Sequence, residues 1–398
     1  MRKTLPETPL YREVADKVAQ LIHRGVLRPG EKLPSLRRLG EQHDVSLTTA
    51  IQAYIQLEDM GLVEARPRSG FFVRAQRPVL AEPKASKPPR AVSPVTVGAL
   101  QSRLFEAVML PDVVPLGGAV PGAEMLPMIK LNRSLAAQSR VAGRRGVSYD
   151  MPPGCEALRR QIAKRTLDAG VTLLPDEIIT TCGATEALML CLRAVAPPGS
   201  VVAVESPTYF GILHALEELS LKVIEVPTHP RDGMDLDALE RIVSTRSIAA
   251  CLAVPTFSNP LGSLMPDSNK RRLVQILSGH DIPLIEDDIF GELHFDHERP
   301  RAAKAFDQKG LVMLCSSFSK SLAPGYRVGW VAPGRFYERV KALKLISTLA
   351  TPSLPALAIA DFLGHGGYDH YLRSARAAYA GNVQRMSDAI ATAFPSGT

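Results

Sequence analysis

The sequence has 398 residues, 45% hydrophobic and 22% charged, with 29 Gly and 32 Pro. At about 150 residues per domain that predicts two or three domains, and the ordinary composition excludes disorder, collagen or a disulfide framework as a description of the whole. The net charge of +7 is uneven: residues 1–75 hold twelve basic and nine acidic side chains, residues 76–97 four and one, and the remaining 301 hold 31 and 30. A basic end on a near-neutral body points to a polyanionic partner. No uncharged apolar run reaches the ~18 residues of a membrane span. The start, Met1 to Thr8, lacks the apolar core of a signal peptide, so a cytoplasmic protein with no membrane partner is expected. Cys155, Cys182, Cys191, Cys251 and Cys315 lie far apart with no C-x-x-C pair and read as reduced core residues.

Residues 1–75 read as three helices and a hairpin. Val14, Val18, Leu21 and Ile22 mark one face of a first helix that stops near Gly25. Pro29-Gly30 turns the chain, and Leu33-Pro34-Ser35 opens a second helix containing Leu36 and Leu39. Ser46 caps a third helix running through Leu57, with Ile51, Tyr54, Ile55 and Leu57 expected inside and Thr48, Thr49, Gln52 and Gln56 outside. Two β-rich runs then flank a turn at Arg66-Pro67-Arg68-Ser69-Gly70. Two helices joined by a short turn, followed by a basic-tipped hairpin, make a winged helix-turn-helix. Short hydroxyl and amide side chains on the third helix suit base edges in a major groove. Lys32, Arg37, Arg38, Arg66 and Arg68 can neutralise phosphates of double-stranded DNA.

Four stretches carry a resemblance: Pro29-Gly30-Glu31-Lys32-Leu33-Pro34-Ser35-Leu36-Arg37, Val45-Ser46-Leu47-Thr48-Thr49, Leu57-Glu58-Asp59-Met60-Gly61-Leu62 and Ser69-Gly70-Phe71-Phe72-Val73. Across residues 9–73 the head resembles the GntR family of bacterial regulators. The resemblance implies that Arg37, Thr48, Thr49 and Gly70 contact DNA. The full candidate DNA-binding set is Lys32, Ser35, Arg37, Arg38, Ser46, Thr48, Thr49, Gln52, Arg66, Arg68 and Gly70. Leu47 stands where many relatives carry Arg, which removes a strong donor to guanine.

Residues 76–97 hold five prolines and read as a basic, semi-extended linker. From 98 to 398, short β-rich runs at 178–181, 201–204, 249–254, 283–285 and 312–315 alternate with helical stretches at 186–195, 236–243 and 270–278. That alternation predicts a mostly parallel α/β sheet with ligand groups at the carboxyl ends of its strands. In Ser316-Ser317-Phe318-Ser319-Lys320, followed by Arg327, an amine that can form an imine sits among hydroxyls and a guanidinium suited to a phosphate dianion. Asp287, at the end of an apolar strand, can keep a pyridine nitrogen protonated. Gly183-Ala184-Thr185 opens a helix and favours an anion. Tyr209 can stack on a flat ring, and Asn259 can hydrogen-bond a phenolic oxygen. His294 and His297, with Asp296 and Glu298 nearby, read as solvated rather than as metal ligands, and no metal is expected.

Residues 98–398 resemble pyridoxal-phosphate enzymes of the aspartate aminotransferase fold, fold type I. The resemblance implies that Lys320 forms the Schiff base with pyridoxal 5'-phosphate and that Asp287 pairs with the pyridine nitrogen. Asn259 would contact the ring 3-oxygen, Tyr209 would stack on the ring, and Gly183, Ala184, Thr185, Ser317, Ser319 and Arg327 would hold the phosphate. Tyr149 matches the Tyr that such homodimers lend to the neighbouring subunit's phosphate, and Gly117-Gly118 matches the loop that approaches the substrate carboxylate. Phe290 replaces the usual Tyr, removing one bond to the ring oxygen, a loss of about 1 kcal/mol. The small C-terminal domain, which normally carries an arginine clamp for an α-carboxylate, is expected to be incomplete.

Head, linker and body together resemble the MocR-like subfamily of GntR regulators. Three readings follow. The first is a regulator that senses pyridoxal phosphate, or an amino compound bound through it, as a homodimer on paired DNA half-sites. The second is an active aminotransferase with an accessory head. The third is a DNA-binding and cofactor-binding partner that competes with a longer relative.

Overall fold

The computed structural model describes residues 9–66, 69–74, 84–108, 110, 112–114, 117–296 and 298–395. One compact unit contains the head, and a second, Glu82–Val383, contains the body. The head comprises α1 (Leu10–His23), α2 (Leu36–His43), α3 (Leu47–Asp59), β1 (Val63–Arg66) and β2 (Gly70–Val73). Ser35 and Ser46 cap α2 and α3, accepting from Arg38 N at 3.4 Å and Thr49 N at 3.1 Å.

The inward faces differ from expectation at three positions. In α1 the buried stripe is Val14, Ala15, Val18, Ala19 and Ile22, while Leu21 is exposed. In α3 the buried residues are Ala50, Ala53, Tyr54 and Leu57, and Ile51 and Ile55 face outward at 38% and 48% exposure. Positions 50, 53, 54 and 57 share one helical face, and 51 and 55 lie about 100° round from 50 and 54. Small alanines win the inside because α1 packs directly against α3. A hydrophobicity reading underweights them.

β1 and β2 pair antiparallel, with Val63 opposite Val73 and Arg66 opposite Gly70. The wing is braced by the turn before α2, where Gly30 N donates to Val73 O and Leu33 N to Phe71 O, both at 2.8 Å. Arg68, at the expected tip, lies outside the described residues.

In the body, β3 (Ser93–Pro94), β4 (Ile179–Thr181), β5 (Val201–Ser206), β6 (Lys222–His229), β7 (Gly233–Met234), β8 (Ala250–Ala253), β9 (Leu284–Asp287), β10 (Val312–Ser317) and β11 (Gly329–Ala332) form one sheet. Its order is β3-β6-β5-β8-β9-β10-β11-β4, with β7 paired to β6. The run β6-β5-β8-β9-β10 is parallel, and β11 runs against both β10 and β4. The head is a winged helix-turn-helix, and the body is a fold type I, mostly parallel α/β sheet.

Helices cover both faces of the sheet. α4 (Gly98–Val108), α5 (Met128–Val141) and α6 (Glu156–Thr166) come first, then α7 (Ala184–Val195) and α8 (Phe210–Glu218). α9 (Leu236–Thr245), α10 (Asp267–Gly279), α11 (Tyr337–Ser347), α12 (Ser353–Gly364) and α13 (Gly367–Ala393) follow. One core joins α7, α8 and α11 to the sheet, and another joins α9 and α10 to it. Strands buried on both faces read as the continuous apolar runs seen in the sequence. No helix among the described residues is long and apolar enough to cross a membrane.

Residues 84–97, inside the expected linker, lie on the body. Ser86 Oγ donates to the Ser206 carbonyl and accepts from Thr228 N at 2.9 Å. β3 pairs antiparallel with β6, and Glu217 Oε2 accepts from Val97 N and Gly98 N, both at 2.7 Å. Val92 and Val95 pack on the two cores.

Candidate functional site

Most of the candidate DNA-binding side chains of the head are solvent-facing. Lys32, Ser35, Arg37, Arg38, Ser46, Thr48, Gln52 and Gly70 are exposed, and Thr49 is half-buried with its hydroxyl 2.8 Å from that of Ser46. The wing glycine sits at φ 104°, and a Cβ there would stand 3.3 Å from Lys32 Cε, so Lys32 and Gly70 are neighbours. Arg66 is engaged within the wing, 2.7 Å from Glu64 Oε1 and with its guanidinium 4.3 Å from the Phe72 ring centre. Leu47 is exposed at the start of α3.

In the body, the ends of separate strands meet around a cavity of about 170 Å³. Gly183 and Ala184 follow β4, Tyr209 follows β5, Asn259 follows β8, Asp287 ends β9, and Ser319 and Lys320 follow β10. Ala184, Thr185, Tyr209, Asn259, Asp287, Ser317, Ser319, Lys320 and Arg327 all line this cavity. Tyr149 does not line it and is 75% exposed.

One end of the cavity is built for an anion. α7 begins at Ala184, with Gly183 before it at φ 84°, so its free N–H groups and dipole favour negative charge. Arg327 NH1 donates to Ser319 Oγ at 3.2 Å, and its NH2 to Cys182 O at 3.3 Å. The left-handed φ of Gly183 is what calls for glycine there, and a Cβ would in addition push that guanidinium aside.

The other end pairs a cation with a carboxyl. Lys320 Nζ donates to Ala119 O at 2.7 Å, and burial lowers its affinity for a proton. Asp287 is 5% exposed, and its Oδ1 is buried with no hydrogen-bond partner. Burial, and then the neighbouring Asp288, push its pKa up to about 7. An unpaired buried acceptor is unfavourable unless something donates to it. A protonated ring nitrogen supplies both the donor and the compensating charge. With Tyr209 for a flat ring, Asn259 for a phenolic oxygen and the hydroxyl–guanidinium end for a phosphate, the residues present fit pyridoxal phosphate.

A second set of groups, not apparent in the sequence, supports Asp287. Asp288 pairs with Arg299 NH2 at 2.6 Å, and Arg299 NH1 lies 3.3 Å from Glu292, which also pairs with Arg165 at 2.7 Å. Glu286 accepts from Ala303 N at 2.6 Å and Lys304 N at 2.9 Å. Lys270, fully buried, donates to Thr256 Oγ1 at 2.8 Å and Arg301 O at 2.6 Å, tying the loop before Asn259 to the segment that holds Glu286. Ala119, whose carbonyl accepts the hydrogen bond from Lys320, was also missed, although Gly117-Gly118 beside it was a signal. His294 is 4% exposed with Nδ1 2.8 Å from Asp296 O, so the expectation of a solvated histidine is corrected. His297 lies outside the described residues. Cys155, Cys191, Cys251 and Cys315 are buried and Cys182 is half-buried; all five are free thiols.

Comparison with known proteins follows the same division. Residues 124–395 match the family described as aminotransferase class I and II, and residues 10–73 match the bacterial regulatory proteins of the gntR family. The chain is similar to the HTH-type transcriptional regulator YdcR of Escherichia coli (strain K12), 40% identical over 97% of this chain and 82% of that protein. It is 29% identical to the probable rhizopine catabolism regulatory protein MocR of Rhizobium meliloti, over 94% and 76% of the two chains. Kynurenine aminotransferase of Pyrococcus horikoshii, solved in complex with PMP, matches with TM-score 0.70 and 26% identity over 75% of each chain.

Proposed function

The chain is a MocR-like member of the GntR transcriptional regulators, with an aminotransferase class I and II domain behind its winged helix, and we propose that this domain binds pyridoxal phosphate as its sensing cofactor. The observation that carries this reading is the orphaned Asp287 Oδ1, which lines one cavity with Lys320 and an anion cradle. Bound there, pyridoxal phosphate supplies an aldehyde that captures primary amines and a ring that withdraws electrons.

Asp287 would accept a hydrogen bond from the protonated ring nitrogen and keep the proton there. The Arg299–Asp288 pair keeps a second carboxylate from competing for it. Tyr209 would cover one ring face, Asn259 would donate to the ring oxygen, and Gly183, Ala184, Thr185, Ser317, Ser319 and Arg327 would hold the phosphate. Lys320 would supply the amine that the aldehyde captures, and its lowered proton affinity leaves more of it neutral. Tyr149, exposed in the single chain, serves the phosphate of the partner in a homodimer. Two heads then address paired half-sites on double-stranded DNA, with α3 in the major groove and Lys32, Arg37 and Arg38 on phosphates. An amino compound captured at the cofactor changes the geometry of the body and hence the spacing of the heads.

Nuclease footprinting of the full chain, with and without pyridoxal phosphate, tests this. A protected pair of half-sites whose occupancy shifts with cofactor, and no longer shifts in Lys320→Ala, is expected. Protection absent in both states contradicts the DNA-binding reading, and protection indifferent to cofactor contradicts the sensing one.

A further inference from the structure

A groove of about 560 Å³ opens off the cofactor cavity, and the two share Ala119, Asn259, Phe290 and Lys320. Beyond those four, its walls include Val120, Phe257, Leu293, Phe295 and Tyr379. Among the described lining residues Lys320 is the one cation, and there is no carboxylate. The Ser258 hydroxyl is already committed to that of Ser263 at 2.6 Å, and Ser258 is 5% exposed. The groove therefore begins at an amine and a carbonyl and continues as an aromatic slot. Resting on the cofactor reading above, we infer that the ligand sensed by this body is a primary amine bearing an uncharged aromatic or branched apolar group, with its nitrogen at Lys320 and its apolar part among Phe290, Phe257 and Phe295.

Three observations point the same way. Phe290 belongs to both spaces, so an apolar ring forms the step from cofactor to groove. Phe257 is held at φ 56°, a left-handed conformation that is unfavourable for a bulky residue and persists only where neighbours enforce it. The enforcing contacts are present: Thr256 bridges to Leu264, Ser258 N donates to Ser263 O at 3.0 Å, and buried Lys270 donates to Thr256 Oγ1. Lastly, Ala119 O, which accepts a hydrogen bond from Lys320 Nζ at 2.7 Å, lies at the junction of the two spaces and is an acceptor suited to a ligand ammonium. A ligand with a charged tail would place that charge among mostly apolar walls that offer no counter-charge beyond Lys320 among the described lining residues, which is unfavourable, whereas an apolar tail gains from leaving water.

The test titrates the full chain, loaded with pyridoxal phosphate, with phenethylamine, isoamylamine, ethanolamine and β-alanine. It follows the visible absorption of the cofactor and, in parallel, the thermal unfolding midpoint of loaded and cofactor-free protein. Half-saturation by phenethylamine at a concentration at least about tenfold below that for ethanolamine is expected, with isoamylamine between them and β-alanine weakest. Phe295→Asp, at a position 54% exposed and outside the cofactor cavity, should remove that preference without altering the absorption of bound cofactor. Equal response to all four amines, or a preference unchanged in Phe295→Asp, overturns the groove assignment. Absence of any cofactor absorption overturns the cofactor reading instead. In that case the groove stands or falls on whether phenethylamine, and not ethanolamine, still raises the unfolding midpoint of the cofactor-free chain.

Discussion

At position 287 the chain buries a carboxyl between two others, Glu286 and Asp288, and leaves one of its oxygens without a donor. Glu286 is anchored by two backbone N–H groups and Asp288 by Arg299, so the unmet demand falls on Asp287. Its pKa is pushed up to about 7, first by burial and then by Asp288. The folded chain holds this proton more tightly than the unfolded one. The associated stability is therefore full at acidic pH, below the ordinary carboxylate range, and is lost as pH rises through about 7. In cofactor-free protein, Asp287→Asn should raise stability at pH 8 by on the order of 2 kcal/mol, with little change at pH 4. The same substitution should weaken retention of pyridoxal phosphate on dialysis. Denaturant unfolding at both pH values checks the first expectation, and cofactor absorbance after dialysis checks the second. Asp287, Lys320 and Asn259 were legible because each follows a β-rich run, which is where an α/β sheet places ligand groups. Arg299 and Lys270 were not, because they act through partners 11 to 31 residues away, and only folding pairs them.

Elements were legible where hydrophobicity is loud and illegible where small or polar residues decide. All three head helices begin and end close to where caps and turns put them, yet the inward face of α3 is set by Ala50 and Ala53 rather than Ile51 and Ile55. In the body, the apolar runs became β5, β8, β9 and β10. β6 escaped notice because proline and polar residues mask its signal, and β11, which opens on a glycine, was also not read as a strand. Residues 84–97 illustrate the same limit. Their prolines read as a spacer, but Ser86, β3 and the backbone of Val97 and Gly98 fix them to the body edge. Ser86 is also bonded to the carbonyl of Ser206, three residues before Tyr209, so this segment touches the strand end that leads into the cavity wall. Ser86→Ala removes two hydrogen bonds, each worth about 1 kcal/mol. Tryptic cleavage after Lys84 and Arg90 should accelerate severalfold while the unfolding of the body stays nearly unchanged. Cleavage at the parental rate would mean that Ser86 does not anchor the segment.

On the scale of the whole molecule, two compact units carry two chemistries: a basic, solvent-facing head suited to phosphates and base edges, and a body whose strand ends converge on one cavity. Net charge sits in the head and the segment after it, while the body is almost neutral, which matches a division between nucleic-acid contact and small-molecule capture. The central claim is that the amine of Lys320 and the carboxyl of Asp287 address one molecule of pyridoxal phosphate. Borohydride reduction of the purified, cofactor-loaded protein, followed by peptide mapping with mass spectrometry, tests it most directly. The account predicts a stable pyridoxyl-phosphate mass on the peptide containing Lys320, in one copy per chain and absent from Lys320→Ala. No added mass, or label spread over surface lysines with position 320 unmodified, would contradict it.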